Sequence, residues 1–73
     1  MHKQHFHNGN GKTLLVYISV IWQNGEPVFK AHFPDSVFVN KEKGEKFNVV
    51  SSNSWEELLD KLKQEGWQKA TFN

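Results

Sequence analysis

The sequence predicts an α+β domain: a two-layer antiparallel β-sheet with one helix packed on one face, in the order β-β-(β-β)-α-β. Three observations carry that prediction. Asn24-Gly25 joins two runs rich in β-branched and aromatic residues. The second run, "VFKAHF", alternates between an apolar and a half-polar side. Ser54 opens a segment whose apolar residues recur at helical spacing.

The first strand is "TLLVYISVIWQ", residues 13–23, with a strong strand preference. Both of its sides are largely apolar, as suits a central strand. Asn24 and Gly25 both tolerate the positive φ that a type I′ turn demands at its two central positions. A two-residue turn sets the register: Gln23 faces Glu26, Trp22 faces Pro27, and so on to Val16 opposite Phe33. Opposed residues share a sheet face. Val16, Ile18, Val20, Phe29, Ala31 and Phe33 therefore form an apolar face, the expected core. Tyr17, Ser19, Ile21, Val28, Lys30 and His32 form the mixed face. Trp22 lies at the hairpin end on the core side, where it is expected to cover the edge of the helix.

Pro34-Asp35-Ser36 ends or bends the second strand, because proline cannot donate to a ladder. "VFVN", 37–40, and "EKFNVVS", 45–51, read as a second hairpin around Gly44. Ser54-Trp55-Glu56-Glu57 fits a capping box, with Ser54 satisfying a free N–H and Glu57 reaching back. Trp55, Leu58, Leu59 and Leu62 make one stripe. Glu57 and Lys61 are an i, i+4 pair. Gly66 is placed to end the helix in the left-handed region. "WQKATF", 67–72, reads as a last strand. Residues 1–12 read as a flexible N-terminal arm, and 13–73 as the single domain.

Composition narrows the function. The chain has 73 residues, enough for one small core, and it holds three Trp, one Tyr and six Phe to fill it. There is no cysteine, which excludes disulfides and thiolate zinc sites and suits a reducing, cytoplasmic setting. The net charge is +1 and every basic residue is Lys, so the Arg fork that reads phosphates and guanine edges is missing. No apolar run is long enough to span a membrane. His2, His5 and His7 raise the question of a metal, yet no acidic or Cys ligand lies near them, and no metal or other cofactor is expected. His32, Asp35 and Ser36 are the residue types of a hydrolase triad, but such close neighbours at a strand end do not supply nucleophile–base–orienter geometry. They are better read as turn formers, and no enzymatic activity is expected. No phosphate loop, dinucleotide fingerprint or calcium loop is present.

Two stretches carry a resemblance. "YISVIWQNGEPVFKAHFPDSV" and "SNSWEELLDKLKQ", with Phe33-Pro34-Asp35 and Ser54-Trp55-Glu56-Glu57-Leu58 as the matching residues, are similar to the N-terminal domain of HicB-type antitoxins and related small proteins. The similarity runs over residues 16–64. It implies a partial RNase H-like βββαβ sheet without nuclease carboxylates, and an antitoxin-like masking of a small mRNA-cleaving toxin. The chain departs from the pattern after Asp35, where Ser36-Val37-Phe38 stands in place of a Pro-Gly turn, and in the longer 37–52 segment. The resemblance carries no operator binding.

The reading that results is a small non-enzymatic interaction module. It binds a protein partner, or itself, through an exposed sheet face or edge. Tyr17, Ser19, Ile21, Lys30 and His32 are the expected contact residues. The alternative is weak single-stranded nucleic-acid binding through the same face, with Tyr17 as a small stacking platform.

Overall fold

The computed structural model describes residues 2–70. The elements in chain order are β1 (His2–His7), β2 (Thr13–Gln23), β3 (Glu26–His32), β4 (Phe38–Val39), β5 (Lys46–Phe47), β6 (Val49–Ser52), α1 (Trp55–Gln64) and β7 (Gln68–Lys69). Five strands form one antiparallel sheet in the order β6-β3-β2-β1-β7, and β4 and β5 form a separate ribbon. The helix α1 connects the two edge strands and packs on one face. This is the expected α+β, two-layer class. The helix covers one sheet face, and the exposed Leu15, Tyr17, Ile21 and Val49 mark the other as open.

The β2–β3 register is the expected one, from Tyr17–His32 to Gln23–Glu26. Asn24 and Gly25 have φ of 52° and 78°, the two positive values of a type I′ turn. Val16, Ile18, Ala31 and Phe33 are buried as their face assignment required. They join Phe6, Phe38, Leu58, Leu62 and Trp67 in one cluster. Phe33 is its hub, with ring centroids 5.0 Å from Phe38, 5.3 Å from Trp67 and 6.0 Å from Phe6.

Several expectations need correction. Residues 2–7 are not an arm outside the domain. They are strand β1, paired with β2 from His2–Ile18 to His7–Thr13, and Phe6 is wholly buried. The cause lies in β2: β3 pairs only its second half, so its first half needs another neighbour. Asn8-Gly9-Asn10-Gly11 supplies the turn, with Asn8 Oδ1 accepting from the Asn10 and Lys12 amides. The core also stops short of the hairpin tip. Val20 is exposed, Phe29 only half-buried against Trp55, and Trp22 is 73% exposed instead of covering the helix. The helix has ten residues, about 15 Å. It cannot shield an eleven-residue strand that spans roughly 35 Å.

The second hairpin is split. β4 pairs with β5, but the chain then turns at Asn48 and Val49–Ser52 pairs with β3. Asn48 clamps the switch: its carbonyl accepts from the Phe33 amide at 2.8 Å, and its side-chain amide donates to the Phe33 carbonyl at 2.9 Å. Phe47 is thereby left facing Phe38, ring on ring at 5.4 Å. The final strand is shorter than expected. It covers Gln68–Lys69, with Trp67 buried just before it; Thr71 and Phe72 lie outside the described residues.

The Ser54 cap and the Gly66 stop follow their sequence signals, but the return bond from the Glu57 carboxylate is not formed. Ser54 Oγ accepts from the Glu57 amide at 3.1 Å. Gly66, at φ 90°, donates to the Lys63 carbonyl, and the Trp67 amide donates to Leu62, the paired bonds of a Schellman motif. Lys61 does not reach for Glu57 but donates to the Ser51 carbonyl at 2.9 Å.

Candidate functional site

The open face follows from the pairing. Residues opposite one another across the ladders share a side. On the side away from α1 lie Lys3, His5 and His7 of β1; Thr13, Leu15, Tyr17, Ser19 and Ile21 of β2; Val28, Lys30 and His32 of β3; and Val49 and Ser51 of β6. All five expected contact residues, Tyr17, Ser19, Ile21, Lys30 and His32, therefore lie on one continuous surface.

Their contacts are specific. Ser19 Oγ and His32 Nε2 are 3.0 Å apart, half-buried, across the β2–β3 ladder. Lys3 Nζ sits 5.1 Å from the centre of the Tyr17 ring, within cation–π range. Tyr17 is 43% exposed, Leu15 and Ile21 each 38%, and Val49 37%. Leu15, Tyr17 and Ile21 line β2 between the basic residues of β1 and β3, and Val49 lies beyond His32 on β6. The sequence reading missed Lys3, His5, His7 and Leu15, because it left β1 out of the sheet. The signal for them was the Asn8-Gly9-Asn10-Gly11 turn, which joins two extended runs in the way Asn24-Gly25 does.

The edges are treated unequally. Pro27 has no N–H, and its carbonyl accepts from Asn53 Nδ2 at 3.1 Å. The Ser51 carbonyl on β6 is taken by Lys61. Both devices blunt an edge against unwanted pairing. β2 is different. Its pairing with β1 stops at Ile18, so Ser19–Gln23 has β3 on one side and no strand on the other among the described residues.

No hydrolase triad is assembled from the residues the sequence offered. His32 contacts Ser19 on the sheet, whereas Asp35 lies 3.7 Å from Lys12 in an exposed ion pair. Grooves between α1 and β6 and between α1 and β7 include none of His32, Asp35 and Ser36. Among the described residues no three His, Cys, Asp or Glu side chains converge as metal ligands do. No helix of the described residues is long and apolar enough to cross a membrane.

No family model, curated protein or solved structure matches this chain. The functional reading rests on the surface itself.

Proposed function

We propose that this chain is a small non-enzymatic protein-interaction module, antitoxin-like in mode, which holds a protein partner stoichiometrically on the open face of its sheet. One observation carries the reading: Leu15, Tyr17, Ile21 and Val49 stand exposed together on a face that no element covers. Apolar side chains grouped in this way mark interaction surfaces more than scattered ones do. The bare Ser19–Gln23 edge of β2 borders the same face and offers an added route, by strand addition. The proposed setting is the cytoplasm, which a chain without cysteine suits. The HicB-like stretches fit this mode, with the difference that β1 adds a strand to the βββαβ pattern they imply.

The test is recovery of a stoichiometric partner from native lysate by tagged protein. Tyr17→Ala combined with Lys30→Ala is expected to lower recovery while leaving the circular dichroism spectrum unchanged. Full recovery by that variant overturns the role given to this face.

A second reading, weak single-stranded nucleic-acid binding, gains from the structure in one respect. β1 brings Lys3 opposite Tyr17, with His5 and His7 farther along the same face. Its signature is binding that falls steeply with salt and shows little sequence preference. An oligonucleotide titration that shows no binding at low salt removes it.

A further inference from the structure

The open face holds the net positive charge of the chain. The open face carries Lys3 and Lys30, with His5, His7 and His32 beside them. Its one carboxylate among the described residues is Glu26, out at the hairpin tip. The other acids lie elsewhere. Glu56, Glu57 and Asp60 belong to α1, and Glu65 caps its end. Glu42 and Glu45 lie between β4 and β5, and Asp35 is held by Lys12. Seven lysines off this face balance those seven acids, so the net charge of +1 lies on the open face.

We propose that the partner of the open face is an acidic protein segment rich in aliphatic side chains. The inference rests on the reading that this face binds protein, and it adds the partner's chemistry. Two features of the face set the terms. Leu15, Ile21, Val28 and Val49 need aliphatic neighbours to gain from burial. Lys3 and Lys30 lie among them, and a purely apolar partner strips their water without compensation. Carboxylates interspersed with aliphatic residues satisfy both demands. A second copy presenting the same face does not, since it brings Lys against Lys. A nucleic acid fits less well. The aliphatic residues offer bases no stacking surface, and the Lys3 ammonium already lies over the Tyr17 ring.

The test uses three synthetic peptides that share their leucines and differ only in the polar positions, filled by Glu, Lys or Ser, together with an oligo-dT strand. Binding to the full chain is read from backbone amide shifts at low and at high salt. The Glu peptide is expected to move the amides of Tyr17, Ser19 and Lys30 and to weaken at high salt. Lys3→Glu with Lys30→Glu is expected to reduce its affinity about tenfold. Lys63→Glu, on the helix, is expected to leave it unchanged. Equal binding of all three peptides overturns the acidic preference and leaves the protein-binding reading standing. Binding of oligo-dT alone overturns the inference in favour of nucleic acid. If no probe moves the open-face amides, the inference and the protein-binding reading fail together.

Discussion

Ser52 is the only buried polar side chain among the described residues, and its Oγ meets no hydrogen-bond partner. A buried hydroxyl left unpaired costs about 1–3 kcal/mol. Ser52→Ala removes that cost without touching the backbone pairing to Phe29. The substitution is expected to stabilise the domain by about 1 kcal/mol, seen as a higher urea midpoint at constant m-value. A lower midpoint contradicts the account. Other single residues speak through local chemistry and are legible in the sequence. Asn24, Gly25, Ser54 and Gly66 each act within a few residues of themselves, so their roles need no tertiary knowledge. Asn48 is the opposite case. It clamps Phe33, fifteen positions away, and splits what reads locally as one strand. Nothing in "EKFNVVS" marks the split, because the partner that causes it is remote in sequence.

At the scale of elements, β1 changes the protein most. "HKQHFH" is polar, with one apolar residue, and carries little strand preference. It becomes a strand because β2 offers it a ladder and the core takes Phe6. Truncation of a buried Phe costs about 3–5 kcal/mol. A chain of this length has a total of roughly 4–11 kcal/mol at typical stability per residue. Phe6→Ala is therefore expected to remove a large share of the stability, measured by urea denaturation. An arm outside the domain predicts no change, so the two readings separate cleanly. The helix shows a second lesson. Its stripe and caps are legible in the sequence, but its short reach along β2 shows only in the fold. A ten-residue helix leaves the far end of a long hairpin bare, and Trp22 is exposed for that reason.

At the scale of the molecule, one cluster ties β1, β2, β3 and β4 to α1 and Trp67. No element has a separate core to fall back on. Urea unfolding is therefore expected to be a single transition, with tryptophan fluorescence and far-ultraviolet circular dichroism coinciding. An early fluorescence change with the sheet signal intact is the result that opposes it. The same two-layer build leaves one sheet face without cover. That surplus face, basic and partly aliphatic, is where both functional proposals lie.

By itself the sequence determined the class, the β2–β3 register, the split between core and open faces of that hairpin, and the limits of the helix. Each depends on neighbours within about a dozen positions, through turn geometry, alternation and capping. The tertiary structure alone decided that β1 belongs to the sheet, that Val49–Ser52 joins β3, and how far the core extends along β2. Those depend on which unpaired edges meet which apolar side chains once the chain has folded. The open face shows both. Tyr17, Ser19, Ile21, Lys30 and His32 were placed together by register. Lys3, His5 and His7 reached them only because an unsatisfied strand edge drew β1 alongside.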